Sequence, residues 1–488
     1  MSEYIDLVVT YYDNLTYDIF AIERGGKKKH LADNITFPPY FYVFEKWSSR
    51  GRIKSLINKV KSLREVVVKV EESDKIPIIW SSEFMLTPQR DWITWKMYLK
   101  HPRFVRSVLP ILESNGYPHG SSNVKFDVRC SFDLLPNFFG FDEPLAFKKA
   151  NEIEDHVRKL AKRIGDIKIM AFDIEVEAKG TFPQIKDSKI LSISYLTQKI
   201  GEKVDHRELV DKVTVLEGKN LVNEFFKAIE KERPDFIVGY NSLGFDMKFI
   251  ERDRLKNITD NVDISKIRTK RYVILPSGKI IPHIDLFMLL DNLRSSLKIR
   301  SFGSFALDDV CVEAGIVNPL DPFDSRMLQV EESMDRMRIG EIYYEDRDFF
   351  IEYAKYDVLL TLLLAKKWLP PVFFLSAFSK IPPSFIQFLN AGQIGEYLIA
   401  VYWTEQLGFS PILRRREYEF MKVYRGVVKS GEEFYAIGKV YSSSPSLYKN
   451  VLELDFDQLY PTIFTSLLID PTGLLRISNA ELSKHISE

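Results

Sequence analysis

The sequence predicts an α/β protein of several domains. Its 488 residues exceed what one domain usually holds and suggest roughly three domains. Hydrophobic residues make up 45% of the chain, which is enough for several cores. The hydrophobic pattern also divides the chain into three parts, with boundaries predicted at 1–150, 151–370 and 371–488.

The first part, up to about residue 130, is predicted to consist of short β-strands. Apolar runs of β-type composition lie at Ile5–Tyr12, Phe41–Phe44 and Val66–Val70. The runs are broken by Gly25-Gly26 and Pro38-Pro39, which are typical of turns. We therefore expect a mixed β domain at the amino terminus.

The middle part, from about 165 to 365, alternates apolar strands with helical segments. Strands are predicted at Lys168–Phe172, Ile190–Tyr195 and Phe236–Gly239, and a helix at Leu221–Ile229. Such alternation is typical of helices that cover a sheet. We expect an α/β layer with a mixed sheet.

The third part begins at a proline-rich stretch. Pro370-Pro371 and Ile381-Pro382-Pro383 predict a boundary, because proline interrupts regular structure. A long helix is then predicted from Phe385 to Gln406, and strands lead on to Asp455. These elements are expected to begin a further domain.

Charge gives little information about partners. The chain has 68 Lys and Arg residues and 68 Asp and Glu residues, so its net charge does not indicate nucleic-acid binding. Local basic surface can still contact phosphates, although such runs are commonly plain solvated surface. The candidates are Lys27-Lys28-Lys29, Arg268/Lys270/Arg271 and Arg414-Arg415-Arg416.

The remaining composition is that expected of a cytoplasmic protein. Cys130 and Cys311 are far apart and predict neither a disulfide framework nor a zinc site; both are expected to be packing residues. The amino terminus contains Glu3 and Asp6 and lacks the basic start of a signal peptide. No stretch was expected to be long and apolar enough to span a membrane.

The middle part also carries three polar segments in a suggestive order. Asp173 and Glu175 are two positions apart at the end of a predicted strand and project from one face, where carboxylates can bind divalent cations. Asp246 opens a predicted helix, and Tyr353 and Asp357 share one helix face. Individually these residues are explained as a solvent-facing strand end, a helix cap and a surface pair. Together they favour a site.

These segments resemble the Exo I, Exo II and Exo III motifs of the DEDDy proofreading exonucleases, Asp-x-Glu, Asn-x-x-x-Phe-Asp and Tyr-x-x-x-Asp. The resemblance implies an RNase H-like 3′→5′ exonuclease fold. It also implies that four carboxylates hold two Mg²⁺ or Mn²⁺ ions: Asp173, Glu175, Asp246 and Asp357.

The same resemblance implies roles for three further residues. Tyr353 would orient the attacking water, and Asn241 and Phe245 would place the 3′ end of the DNA. The substrate would be single-stranded or frayed DNA, because only an unpaired end reaches such a site.

A fourth segment lies near the carboxyl end. Asp455-Phe456-Asp457-Gln458-Leu459-Tyr460-Pro461 resembles the first catalytic motif of the family B DNA polymerases. The resemblance implies that Asp455 binds the metal ions of nucleotide transfer and that Tyr460 excludes a ribose 2′-hydroxyl. The family also needs a second acidic strand and a Lys/Asn/Tyr helix, which do not occur in the 27 residues after Pro461. The chain is therefore expected to end in the first portion of a polymerase palm, at 371–488, and to be unable to synthesise DNA alone.

The likeness to this family extends along the chain. Thr36–Val43, Trp95–Pro102 and Ile280–Leu286 are similar to segments of archaeal family B polymerases. Tyr424-Arg425-Gly426-Val427-Val428 resembles the Tyr-x-Gly-Gly motif, so that Tyr424 and Gly426 are implied to contact the template. Val427 replaces the second glycine of that motif.

In the archaeal family the amino-terminal segments build a pocket that detects uracil in the template. Phe37, Tyr40 and Val105 stand at comparable positions here, but Arg103-Phe104-Val105-Arg106 replaces the family's Gln-Asp-Val-Pro. Ordinary core packing explains the same aromatic residues.

Three interpretations remain open. The chain is expected to be the large subunit of a split polymerase, which edits by itself and synthesises when a second polypeptide supplies the rest of the palm, the fingers and the thumb. The alternatives are a free-standing 3′→5′ exonuclease and a noncatalytic DNA-binding scaffold. The expected partners are a DNA primer-template, dNTPs in the assembled enzyme and a sliding clamp, and the expected location is cytoplasmic and nucleoid-associated.

Overall fold

The computed structural model describes residues 3–12, 15–80, 86–88, 90–141, 150–178, 180–256, 269–293, 304–406 and 408–411. Several predicted residues lie outside these ranges, namely Tyr424, Gly426, Asp455, Tyr460 and the basic residues Arg268 and Arg414–Arg416.

The strands are β1 (Tyr4–Tyr11), β2 (Tyr17–Glu23), β3 (Lys28–Asp33), β4 (Tyr40–Lys46), β5 (Val67–Ser73), β6 (Ile76–Trp80), β7 (Leu86–Pro88), β8 (Trp92–Leu99), β9 (His119–Gly120), β10 (Lys168–Val176), β11 (Ile190–Lys199), β12 (Thr214–Glu217), β13 (Phe236–Gly239), β14 (Tyr272–Ile274), β15 (Ile280–Asp285) and β16 (Phe409–Pro411). The helices are α1 (Arg52–Lys59), α2 (Lys61–Val66), α3 (Val105–Ser114), α4 (Phe126–Leu134), α5 (Ala150–Gly165), α6 (His206–Leu209), α7 (Leu221–Glu232), α8 (Asp246–Lys256), α9 (Leu286–Leu293), α10 (Leu307–Glu313), α11 (Pro322–Ser333), α12 (Ile339–Glu345), α13 (Arg347–Ser379), α14 (Pro383–Ile386) and α15 (Ala391–Gln406).

The described residues form two compact units. The first contains the segments up to Phe37 and from Val124 to Ile399, and the second contains Pro38–Asn123 with the described residues after Ile399. The boundaries at 1–150, 151–370 and 371–488 stay a prediction. In the second unit, β5, β8, β4 and β9 form an antiparallel sheet, and a short sheet joins β16, β6 and β7.

The first unit is built around a six-stranded mixed sheet. Its strand order is β12-β11-β10-β13-β15-β14, with β10, β13 and β15 parallel and the other pairs antiparallel. The mixed sheet predicted for the middle part is therefore present. Phe172, Phe225 and Ile237 belong to the core cluster that joins β10, α7 and β13.

Strand β10 is longer than predicted. The apolar run was expected to end at Phe172, yet the strand continues to Val176, because Asp173, Ile174 and Glu175 keep their pairing with β11. The two acids thus lie inside a strand whose pairing with β11 extends past them, although β13 pairs only with Ile169–Ala171 on the other side. Such a strand fixes the direction of its side chains.

The start of β10 is tied to the amino-terminal segment of the same unit. The Asp235 carboxylate accepts hydrogen bonds from Lys168 N at 2.9 Å, Gly25 N at 2.9 Å and Arg24 Nη1 at 3.0 Å. Because Asp235 is buried, these bonds also satisfy a charge that would be costly to leave alone.

Helix α13 runs for 33 residues against β10. A window of this helix has a mean hydropathy of 1.7, so by length and composition it could cross a membrane, and the expectation that no stretch could is wrong. Of that window, 56% is buried inside the structure, which is also the pattern of a core helix. It is the one such helix among the described residues.

The break predicted at Pro370-Pro371 is also wrong, because both prolines lie inside α13. Proline weakens a helix by removing a hydrogen bond and crowding the preceding turn. Here Leu369 and Phe373 flank the prolines and are fully buried, and Phe373 packs on Phe236 with ring centroids 4.9 Å apart. This packing holds the helix to Ser379.

The single helix predicted from Phe385 to Gln406 is two helices, α14 and α15. Asn390 and Gln393 form a reciprocal cap, in which Gln393 N donates to Asn390 Oδ1 at 2.9 Å and Asn390 N donates to Gln393 Oε1 at 3.1 Å. Such a cap starts a new helix.

Two other expectations concern buried side chains. Cys130 and Cys311 are buried, as predicted for packing residues. Arg271, a candidate for DNA contact, is instead buried, and its Nη2 atom donates to Asp127 Oδ1 at 2.5 Å and Leu7 O at 2.9 Å.

Candidate active site

Strand β10 carries the first two predicted acids. Asp173 is partly buried and Glu175 is 7% exposed, and their side chains leave the same face of the strand. Glu175 Oε1 is buried and has no hydrogen-bond partner among the described residues. A buried carboxylate oxygen without a donor is costly unless a cation reaches it.

Asp246 is the first residue of α8, as the sequence predicted. It is buried, and its Oδ1 atom accepts a hydrogen bond of 3.1 Å from Ile174 N, between the two acids of β10. Asp246 therefore fixes the start of α8 against β10.

The turn before Asp246 needs two glycines. A Cβ atom on Gly239 would lie 2.6 Å from Ser242 Cβ, and one on Gly244 would lie 2.5 Å from Asn241 Oδ1. Asn241 has a φ of 55°, in the left-handed region that Asn tolerates. The turn thereby places exposed Asn241 and half-buried Phe245 beside the acids.

Asp285 and His283 of β15 support this turn. Asp285 Oδ1 accepts from Asn241 N at 3.0 Å, and Asp285 Oδ2 accepts from Leu243 N at 2.8 Å. His283 Nε2 lies 2.9 Å from Ser242 Oγ. The segment Ile280–Leu286, noted in the sequence only as a likeness, thus carries supporting residues.

Helix α13 brings the third predicted segment to the same place. Tyr353 and Asp357 are both buried, and the Tyr353 hydroxyl lies close enough to the Asp357 carboxylate to lower its pKa. Carboxylate oxygens of Asp173, Glu175 and Asp357 lie within 4.8 Å of one another. Three converging carboxylates with one unpartnered oxygen fit a hard divalent cation.

Asp246 stands apart from this group of three. Among the described residues only the other three acids bring ligand atoms within that distance of one another, and the role of Asp246 as a fourth ligand of two ions stays a prediction. Its bond to Ile174 N uses one of its oxygens.

The pKa values of the acids reflect crowding. Burial, followed by the neighbouring carboxylates, raises the pKa of Asp173 and of Glu175 well above the ordinary value. Burial also raises the pKa of Asp357, against the lowering effect of the Arg336 guanidinium. Burial raises the pKa of Asp246 to about 7, despite two backbone hydrogen bonds that lower it.

A cleft of about 310 Å³ opens beside these acids. All seven residues that the sequence assigned to the exonuclease motifs line it: Asp173, Glu175, Asn241, Phe245, Asp246, Tyr353 and Asp357. The structure therefore brings together segments that are up to about 180 residues apart in the chain.

Three residues near the cleft were missed from the sequence. Phe182 is 63% exposed and packs edge-on against Phe245, with ring centroids 5.8 Å apart. Arg336 lines the cleft, and buried Glu331 lies beside it. In the sequence, the one feature that could have indicated Phe182 is its position just after Gly180 in a short stretch of turn type. Glu331 and Arg336 lie in a charged stretch that is typical of plain surface.

Residues 146–275 match the DNA polymerase family B exonuclease domain. DNA polymerase 2 of Aeropyrum pernix is 24% identical over 462 residues, and the DNA polymerase of Archaeoglobus fulgidus is 23% identical over 447 residues. Each alignment covers 90% of this chain, and it covers 52% and 50% of the two relatives. The chain therefore spans about half the length of the curated relatives it matches.

A solved structure agrees in fold. The family B DNA polymerase of Pyrobaculum calidifontis is similar with a TM-score of 0.55 and 18% identity, over 86% of this chain and 52% of that one. The predicted fold class and family resemblance are confirmed, whereas the roles of individual residues stay predictions. The chain is thus similar to archaeal DNA polymerases, and its residues 146–275 match the exonuclease domain of family B.

Proposed function

We propose that the chain is a metal-dependent 3′→5′ exonuclease that removes nucleotides from single-stranded or frayed DNA ends. The observation that carries this proposal is the convergence of Asp173, Glu175 and Asp357 beside Tyr353 in an open cleft. The match to the family B exonuclease domain supports DNA as the substrate.

The acids would hold two Mg²⁺ or Mn²⁺ ions, with Asp246 completing the set at the start of α8. Divalent ions held there supply an activated water and a stabilised 3′-oxygen leaving group. In the hydrolysis the water oxygen forms a bond to phosphorus, the bond from phosphorus to the 3′ oxygen breaks, and that oxygen takes up a proton. The products are a 5′-mononucleotide and a DNA strand one residue shorter.

The neighbouring side chains would position the substrate. The Tyr353 hydroxyl, which lies near the Asp357 carboxylate, would orient the attacking water. Asn241 and Phe245 line the cleft where the terminal nucleotide would lie. A cleft of about 310 Å³ is of the size that holds one small ligand.

A noncatalytic scaffold is disfavoured by the energetic cost of the cluster. Burying like charges destabilises a fold and raises the pKa values of the acids, as seen for Asp173 and Glu175. A chain that used this cleft only for packing would gain from apolar residues at these positions.

The test uses the full chain with Mg²⁺ and a 5′-labelled primer-template. We expect the label to move to shorter products, and we expect Asp173→Ala and Glu175→Ala to stop this shortening while the far-ultraviolet spectrum is retained. Glu224→Ala is the matched control, because Glu224 is an exposed acid on α7 of the same unit. No shortening by the unaltered chain would favour the scaffold, and shortening by Asp173→Ala would refute the assigned role.

We infer separately that DNA synthesis needs the rest of the palm, the fingers and the thumb, with a second polypeptide as their source. The names of the relatives as DNA polymerases support a role in synthesis for the assembled enzyme. Asp455 would bind metal at the synthetic site, so Asp455→Ala should abolish synthesis in the reconstituted pair and leave excision intact. Extension of the primer by the chain alone would contradict the need for a partner, and activity confined to excision in every mixture would favour a free-standing exonuclease.

A further inference from the structure

Arg336 lies in the short connection between α11 and α12, beside the exonuclease cleft. Its backbone is fixed on its carboxyl side, because Met337 N donates to Asp335 Oδ1 at 3.0 Å and Met337 O accepts from Gly180 N at 2.9 Å. The first turn of α12 also packs closely against the segment after β10, since a Cβ atom on Gly340 would lie 2.9 Å from Ala178 O. The connection is therefore anchored to the strand that carries Asp173 and Glu175.

The guanidinium of Arg336 is held loosely. Its Nη2 atom lies 3.6 Å from Glu331 Oε2, and the guanidinium also lies near the Tyr353 hydroxyl. The Arg336 side chain is 60% exposed, whereas Glu331 and Tyr353 are buried. Because the guanidinium is exposed on the side away from Glu331, it can contact a ligand in the cleft while it stays beside this buried carboxylate.

Arg336 differs in charge from the other ionisable residues that line the cleft. Among the described residues that line it, Arg336 is the single basic side chain beside four acids. The site would receive a phosphodiester, and a planar guanidinium pairs with phosphate oxygens through two parallel hydrogen bonds. Glu331 is a carboxylate in the last turn of α11 that faces the same guanidinium and has one oxygen without a partner among the described residues.

We propose that Arg336 is the phosphate contact of this cleft, a cation that Glu331 and Tyr353 hold beside the three acids and that pairs with a phosphate of the DNA end when the end binds. This inference rests on the proposed exonuclease function. It adds a specificity-determining residue, which distinguishes a polyanionic strand end from other ligands that divalent ions could bind.

The competing explanation is that Arg336 only neutralises buried Glu331. That explanation predicts a loss of stability on substitution and no dependence on any particular phosphate of the DNA. The two explanations are separated by removing the charge from one phosphate at a time.

The experiment measures binding of the full chain to a single-stranded oligonucleotide in Ca²⁺, after checking that no shortening occurs. The oligonucleotides carry one neutral methylphosphonate at the terminal, second, third or fourth linkage. The variants are Arg336→Ala and Arg336→Lys, and Arg338→Ala is the matched control. Arg338 is two residues further on, 57% exposed, and pairs with Glu341 rather than with the cleft.

We expect Arg336→Ala to weaken binding of the all-phosphate strand by about 10- to 100-fold, the range for a charged hydrogen bond. At one linkage the methylphosphonate should weaken DNA binding by the unaltered chain by a similar factor. The same methylphosphonate should hardly change DNA binding by Arg336→Ala. Arg336→Lys should recover only part of the binding, because lysine cannot form the paired hydrogen bonds. Arg338→Ala should behave as the unaltered chain.

Equal losses for Arg336→Ala and the unaltered chain at every linkage would overturn the proposal, and so would unchanged binding of the all-phosphate strand by Arg336→Ala. A lowered Tm of Arg336→Ala that accounts for the whole binding loss would assign Arg336 to the competing role. Failure of the exonuclease proposal is recognised separately, since it appears as no shortening in Mg²⁺ by the unaltered chain, whatever its binding in Ca²⁺.

Discussion

The three-acid cluster should make the metal-free protein less stable than a variant with one charge removed. Glu175→Gln is the suitable change, because it keeps the shape of the side chain and gives the unpartnered position of Glu175 Oε1 an amide that can donate to a neighbouring carboxylate. The variant should therefore unfold at a higher denaturant concentration than the unaltered chain in EDTA.

The separations in the cluster set the magnitude. Two unit charges 4.8 Å apart repel by about 3.5 kcal/mol at an effective dielectric constant of about 20. Glu175 faces two such carboxylates, but proton uptake limits the repulsion, since the pKa values of these acids are raised. A gain of about 1–3 kcal/mol in the free energy of unfolding at pH 8 is therefore expected.

The assay is urea unfolding in EDTA and again in Mn²⁺. The unaltered chain should gain stability from Mn²⁺, because a ligand that binds only the folded state stabilises it. Glu175→Gln should lose most of that gain, and the control Glu224→Gln should match the unaltered chain in both buffers. Destabilisation of Glu175→Gln in EDTA, or a full response to Mn²⁺, would refute the cluster as a repulsive metal site.

Three further outcomes are expected. Tyr353→Phe removes the hydroxyl that lies near the Asp357 carboxylate, so it should slow excision at saturating DNA while the Mn²⁺ stabilisation remains. Loss of that stabilisation would make Tyr353 a structural residue. Phe182→Ala should weaken binding of a single-stranded end by about 1–3 kcal/mol, the range for base stacking on an aromatic ring, in a fluorescence titration; unchanged affinity would exclude stacking there. Burial, against the opposing effect of Arg271, raises the pKa of Asp6 from 3.8 to about 6. The folded state therefore binds this proton more tightly than the unfolded state does. The ionised carboxylate lowers the free energy of unfolding by about 3 kcal/mol, an effect that is absent below pH 3.8 and complete above pH 6. Asp6→Asn should therefore raise the free energy of unfolding at pH 8 and not at pH 3.5, and an equal effect at both would contradict the assignment.

The acids of the site could be predicted from the sequence because their spacing follows the periods of strands and helices. Asp173 and Glu175 share a strand face at a period of two, and Tyr353 and Asp357 share a helix face at a spacing of four. Placing the two segments together required the family resemblance, since spacing alone does not say which strand meets which helix.

Other features depend on packing and were beyond sequence reasoning. Glu331 and Arg336 lie in a run of charged residues that suggests plain surface, and Glu331 is buried only because α11 packs against α13. The prolines of α13 predict a boundary by local preference alone, and the buried apolar contacts of Leu369 and Phe373 override that preference. Asp246 was correctly placed at a helix start, but its bond to Ile174 N depends on the distance between two elements.

The long interval between β10 and α13 has a consequence for how the chain matures. Glu175 and Asp357 are about 180 residues apart. At translation rates of about 5–20 residues per second, Asp357 is therefore added roughly ten to forty seconds after Glu175. A fragment limited to the matched segment 146–275 would hold two of the three clustered acids and lack the helix that brings the third. Under the proposed function, the three-acid site would be completed only after α13 has been made, and a chain that stops before α13 would lack the third acid.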